Sequence, residues 1–306
     1  MMPICKKKIQ YQCGNLAPAS AGCHQKSNPG DQQGCYVLSP IGGDSEKNKI
    51  REQEILIERI KRPKLEGLTI HSRSWKLFHD KSPLSWSWNE LAPLCYEDTD
   101  NVVLLDWSKY SMDIFYGLTF ETAEGVGSLF AQSLQLLKDN EFNTSTIYII
   151  GHSLGAHIAG LAGKCTNFTI PRITGKCVKL LFIGLDPANR LWYPTGCYLA
   201  PTDASWVDVI HTDMGVWGTP ASMGTVEYYA NTGHRLQPNC PTFSLLPEGI
   251  AEVVLCPHEL SNVIYAESKY YPDKYVAVSC HSADSFLSGG CKNNTKTGVG
   301  YAASNV

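Results

Sequence analysis

Residues 145–164 read STIYIIGHSLGAHIAGLAGK. The first part, STIYIIG (145–151), is a run of apolar β-formers, the mark of a strand buried on both faces. The last part, LGAHIAGLAGK (154–164), is helix-like and rich in small residues. Between them Gly151-His152-Ser153-Leu154-Gly155 fits G-x-S-x-G. That pattern arises easily in a chain with 26 glycines. Its position between strand and helix is what makes it a nucleophile elbow, a tight turn that strains the serine backbone and exposes its hydroxyl. Gly151 and Gly155 leave room for such a turn. The helix start behind Ser153 supplies partial positive charge, and the N–H of Leu154 becomes one donor for a developing oxyanion.

The flanking sequence repeats the theme. LEGLTIH, from Leu65, reads as a strand, and NVVLLDW (101–107) as a buried one. Residues 122–139 place Val126, Leu129, Phe130, Leu134 and Leu137 at helical spacing. VKLLFIGLDPA and WVDVIH (206–211) add two more strands. Strand, helix, strand, helix, strand predicts an α/β fold with a mostly parallel central sheet flanked by helices. Residues 1–48, rich in Gly, Pro, Ser, Gln and Cys, carry no legible regular structure. Residues 49–61, KIREQEILIERIK, fit a short helix or an alternating strand equally. We read 1–48 as a Cys-rich N-terminal segment and 49–306 as one α/β domain.

Composition narrows the function. A net charge of −3, from 26 basic and 29 acidic residues, offers no polycationic face for nucleic acid. No apolar run approaches the roughly 18 residues of a spanning helix. Twelve cysteines with no C-x-x-C pair disfavour a zinc ribbon and favour disulfides in an oxidising compartment. Sequons at Asn143, Asn167 and Asn293 agree with that route. The first ten residues lack the apolar core of a secretory signal. The cysteines outweigh this, and the expectation is an extracellular protein whose start is incomplete.

A serine nucleophile needs an acid and a base, following in the order Ser, Asp, His. Asp186 stands where the strand VKLLFIGL ends, the edge at which an open α/β sheet presents its chemistry. Asp203, Asp208 and Asp213 are rivals, Asp208 reading as structural within WVDVIH. His211, His234, His258 and His281 all follow Asp186. His211 ends a strand, and His258 follows Cys256 by two residues. On the residues alone the base is divided between these two.

IYIIGHSLGAHIAGLAGK, IGLDPA, WVDVIHTD, the Cys240–Cys256 segment ending CPH, and SCHSADSFLSGGC together resemble the pancreatic lipase family of secreted α/β-hydrolases. The likeness covers roughly residues 65–306. It implies a nucleophile at Ser153, an acid at Asp186 and a base at His258, with His211 released from that role. It implies backbone oxyanion donors at Leu154 and Arg73, and bridges Cys240–Cys256 and Cys280–Cys291, the first closing a lid. No cofactor or protein partner is implied; the partners are a lipid substrate and a lipid–water interface. The chain stops soon after VGYAAS, so the family's C-terminal β-sandwich domain is expected to be missing.

Two departures stand out. The oxyanion strand, which in the family reads I-H-G-aromatic, is Ile70-His71-Ser72-Arg73 here. The family's calcium site is degraded: CYLAPTDA keeps Asp203 but has Tyr198 and Ala200 where an Arg and an Asp would stand, so no calcium is expected. The lid, PTFSLLPEGIAEVVL (241–255), sets Phe243, Leu246, Ile250, Val253 and Val254 near one helical face. It and the connection between Asp213 and Gly224 are short, which within the family resembles phospholipases A1 and invertebrate neutral lipases. The expected activity is therefore hydrolysis of a lipid acyl ester, phospholipid at sn-1 or neutral acylglycerol. The alternative is a catalytically weak or inactive lipid-binding or storage protein on the same fold.

Overall fold

The computed structural model describes residues 20–21, 35–39, 67–73, 100–106, 116–170, 182–190, 198–243 and 247–303. The segment 49–61, Leu246 in the lid and the cysteines Cys177 and Cys197 lie outside them.

Eight strands form one sheet. In chain order they are β1 (Ser20–Ala21), β2 (Cys35–Ser39), β3 (Gly67–Arg73), β4 (Asp100–Asp106), β5 (Ile147–His152), β6 (Phe182–Leu185), β7 (Val207–His211) and β8 (Val226–Tyr229). Their spatial order is β1-β2-β4-β3-β5-β6-β7-β8. Every pairing is parallel except β1 with β2. The helices are α1 (Tyr116–Asp139), α2 (Leu154–Cys165), α3 (Pro247–Tyr270) and α4 (Ala283–Leu287). A small antiparallel pair, β9 (Val276–Val278) with β10 (Lys296–Gly298), stands apart. This is the α/β architecture that the alternation of apolar strands and helices predicts.

Alternation along β5 builds the core. Ile147 and Ile149 face one side, packed with Val126, Phe130 and Leu134 of α1 and Ile158 of α2. Tyr148 and Ile150 face the other, with Ile264 and Tyr265 of α3. Successive side chains of a strand point to opposite faces, so a wholly apolar run requires helices on both.

Two readings change. Residues 20–21 and 35–39, left without regular structure in the sequence, enter the sheet, Cys35 to Leu38 pairing with Val102 to Leu105. The apolar run YVL is too short to stand out from its Gly- and Pro-rich surroundings. The segment between Cys240 and Cys256 is not one apolar helical face. Phe243 lies outside the helix and is 73% exposed. Helix α3 begins at Pro247 and runs without interruption through Cys256 and His258. Proline suits the first helical position, where its missing N–H has no helical partner to lose.

Candidate active site

Strand β5 ends at His152 and α2 begins at Leu154, which leaves Ser153 alone in the turn. Its backbone has φ 54° and ψ −121°. A non-glycine residue at positive φ is strained and persists only where its surroundings hold it. Here Ser153 N–H donates to Leu185 O at 2.9 Å. The turn is closed so tightly that a Cβ on Gly151 would sit 2.5 Å from Gly155 O. Leu154 opens α2, so its N–H belongs to the set that has no partner within the helix. Strand β3 ends at Arg73, and Ser72 stands opposite Gly151 in register. The backbone at Arg73 therefore reaches the same edge of the sheet as the elbow.

Asp186 follows β6 directly and also has positive φ, 41°. Its carboxylate is fully buried. One oxygen, Oδ1, accepts from the N–H groups of Thr212 and Asp213 at 2.9 and 3.1 Å. The other, Oδ2, accepts from His258 Nδ1–H at 2.6 Å. Space around it is fixed from behind: a Cβ on Gly218 would lie 2.4 Å from Oδ1.

His258 is brought in by α3. Its ring lies against that of His152, with centroids 4.5 Å apart, and His152 Nε2–H donates to His258 O at 3.1 Å. His152 is the residue before Ser153, so the imidazole lies against the strand end that leads into the elbow. Burial works to lower the His258 pKa, but the hydrogen bond and charge of Asp186, with Glu259 and Asp213, hold it above 6.5. Burial pushes His152 down to about 4, so it is neutral beside His258. The arrangement can move a proton at Nε2 of His258 while Asp186 accepts from Nδ1–H and holds that tautomer.

The rivals are engaged elsewhere. His211 Nε2 is 2.5 Å from Glu227 Oε2, and its ring stacks on Tyr229 at 4.9 Å. Asp208 Oδ1 accepts from Trp206 Nε1–H at 2.6 Å. Asp203 pairs with the Lys164 ammonium and accepts from Ala200 N–H at 2.8 Å. Asp213 pairs with Arg235. His234 and His281 are exposed. The residues present do not fit calcium. Lys164 Nζ also donates to Tyr198 O at 2.8 Å, so an ammonium takes the oxygens a hard cation would need. Among the described residues no group of three or more His, Cys, Asp and Glu could hold a metal ion.

The structure contains both bridges, Cys240–Cys256 and Cys280–Cys291, each with Cα atoms 5.6 Å apart. The sequence reading missed Arg235 and Trp217. Both donate to Val254 O, at 2.7 and 3.2 Å, four residues before His258. The buried Asp213, which needs a cation, was the one signal available for Arg235.

A parallel sheet with helices on both faces, a strained serine between β5 and α2, and a buried carboxylate–imidazole pair beside it define an α/β-hydrolase. The profile of the family described as Lipase matches residues 48–306. The chain belongs to the pancreatic lipase family. It is similar to lipase member H of Danio rerio, with 34% identity over 193 residues, 62% of this chain and 40% of the relative. It is similar to the pancreatic triacylglycerol lipase of Sus scrofa, with 32% identity over 231 residues, 70% and 49% of the two chains. It is also similar to the inactive pancreatic lipase-related protein 1 of Canis lupus familiaris, with 33% identity over 231 residues, 70% and 47%. The chain spans less than half the length of these relatives.

Proposed function

We propose that this protein is an extracellular serine hydrolase that cleaves acyl esters of lipids through Ser153, His258 and Asp186. The observation that carries the reading is the 2.6 Å bond from His258 Nδ1–H to Asp186, made beside the strained elbow. Ser153 Oγ attacks the ester carbonyl as His258 Nε2 takes its proton. The backbone N–H groups of Leu154 and Arg73 bind the oxyanion. Collapse of the tetrahedral adduct releases the alcohol, which takes its proton from His258. Water, deprotonated by His258, then frees the fatty acid. Asp186 holds the imidazole tautomer and stabilises the imidazolium. The domain responsible is 49–306, with two strands of the preceding segment joined to its sheet. The bridges support an oxidising compartment, and none of the described helices is long and apolar enough to cross a membrane.

The substrate is a phospholipid at its sn-1 ester or a neutral acylglycerol. Relatives named triacylglycerol lipase favour the second. The short lid and short 214–223 connection favour the first, because a more open mouth lets a charged head group stay hydrated, and burying it unpaired is costly. A non-catalytic lipid-binding protein is the second reading. It is favoured by Ser72-Arg73 in the oxyanion strand and by similarity to a relative named inactive.

The test is labelling with a fluorophosphonate, then hydrolysis of chain-labelled phosphatidylcholine and triacylglycerol. Wild type is expected to label and Ser153→Ala to lose the label with its fold intact. An unlabelled wild type selects the non-catalytic reading, and equal labelling of both proteins removes Ser153 as nucleophile. Release of the sn-1 chain selects phospholipid; triacylglycerol cleavage alone selects neutral lipid.

A further inference from the structure

Three segments meet at Val254. It lies in α3, two residues before the bridging Cys256 and four before His258. Its carbonyl accepts from Arg235 Nη2 at 2.7 Å and Trp217 Nε1 at 3.2 Å. Both donors come from outside the helix. Arg235 also grips Asp213 side-on, Nε to Oδ1 at 3.0 Å and Nη2 to Oδ2 at 2.8 Å. Asp213, in turn, gives its own N–H to Asp186 Oδ1 at 3.1 Å. The links form a closed ring: Asp186, the Asp213 backbone, the Asp213 carboxylate, Arg235, the Val254 carbonyl, one turn of α3, His258, and back to Asp186 through the 2.6 Å bond.

Two links of this ring cross from the acid's surroundings to the helix that carries the imidazole: Arg235 to the Val254 carbonyl, and the His258–Asp186 bond itself. Removing Arg235 cuts the crossing that does not itself involve the reacting imidazole. A guanidinium suits the place. Its planar fork meets the carboxylate with two N–H groups and still has a further N–H for the carbonyl. A lysine offers a point charge on a flexible stem and cannot hold both angles.

On the basis of the hydrolase reading, we infer that Arg235 is a positioning residue: it fixes the approach of His258 to Asp186 by tying α3 to the Asp213 carboxylate. The same bond ties down the helical end of the Cys240–Cys256 segment.

The role has an electrostatic side. The groups facing His258 are Asp186 from the turn after β6, Asp213 from the turn after β7, His152 from the elbow and Glu259 from its own helix. Asp213 is buried, and Arg235 is its ion-pair partner. With Arg235 gone, the Asp213 charge acts on the imidazolium without compensation. That favours the charged imidazole and moves the acid limb of activity to higher pH.

The experiment uses the whole chain and a short, soluble ester. Wild type is first labelled with fluorophosphonate. Failure there refutes the hydrolase reading itself, whereas the Arg235 variants bear on the positioning role alone. With labelling secured, Arg235→Met is expected to lower kcat about 10- to 100-fold, the scale of a sub-ångström to 1 Å misplacement, with KM held within twofold. Its acid limb in kcat/KM moves to higher pH. Arg235→Met combined with Asp213→Asn returns the limb toward wild type while kcat stays low. Arg235→Lys keeps the limb in place but does not restore kcat, and this variant decides the matter if Arg235→Met fails to fold. A kcat within twofold of wild type in the variants that lack Arg235, a loss confined to KM, or a limb that Asp213→Asn does not move back overturns the inference.

Discussion

His157, on the first turns of α2, makes folding sensitive to acid in a way that can be measured as a slope. Its ring is buried, with Nε2–H donating to Ala188 O at 2.9 Å and Nδ1 accepting from Leu199 N–H at 3.2 Å. A second proton would go onto Nδ1, setting a donor against a donor. Burial pushes its pKa from 6.5 down to about 4, with Lys164 and Arg190 adding to the effect. The folded value is below the unfolded one, so the stability of the neutral form is complete above pH 6.5 and is lost as pH falls toward 4. Across that window the unfolded chain binds one proton more. Each pH unit then removes about 1.4 kcal/mol, amounting to about 3 kcal/mol by pH 4. His157→Gln keeps an N–H donor and an oxygen acceptor but cannot titrate. Urea unfolding, followed by tryptophan fluorescence with the disulfides intact, gives stability at pH 6.5, 5.5 and 4.5 for both proteins. Other groups titrate in the same range, His152 among them. They are common to the two proteins and cancel in the difference. The wild-type line should be steeper by about 1 kcal/mol per pH unit, whatever the variant's absolute stability. Parallel lines would refute the claim that His157 stays neutral in the folded chain.

Two further outcomes concern the site. Gly218→Ala would drive a methyl group to within 2.4–2.6 Å of the Asp186 carboxylate, which two backbone N–H groups already hold in place; kcat should fall at least about 100-fold with KM little changed, and a fully active variant would show that Asp186 does not need this position. His258→Gln should remove far more activity than His211→Gln, and the wild-type acid limb of kcat/KM should lie above pH 6.5, because a base must be neutral and Asp186 favours the charged imidazole; the reverse ranking, or a limb well below 6.5, would assign the base elsewhere.

What the sequence disclosed and what it concealed divide along one physical line. The elbow was legible because an apolar run, a glycine-flanked serine and a small-residue helix are consecutive, and local pattern is enough to read them. Asp186 was legible as the end of a strand. The choice between His211 and His258 was not, since both come after apolar segments and the residues alone left them level; it took the family resemblance to separate them. In the fold the difference is one of carboxylates: Glu227 for His211, Asp186 for His258. Those partners are 16 and 72 residues away, so no window of sequence contains the second pair. β9 and β10, at three residues each, are too short for any period to show. Beyond the lid residues Ile250, Val253 and Val254, helix α3 was hidden in the sequence. Pro257 interrupts the pattern, has no N–H for the carbonyl of Val253, and crowds that turn. A helix weakened there, directly before the imidazole it must aim, needs holding from outside. Trp217 and Arg235 supply that hold at the adjacent carbonyl of Val254. The residue that obscures the helix in the sequence is thus the reason its geometry depends on side chains from two distant loops.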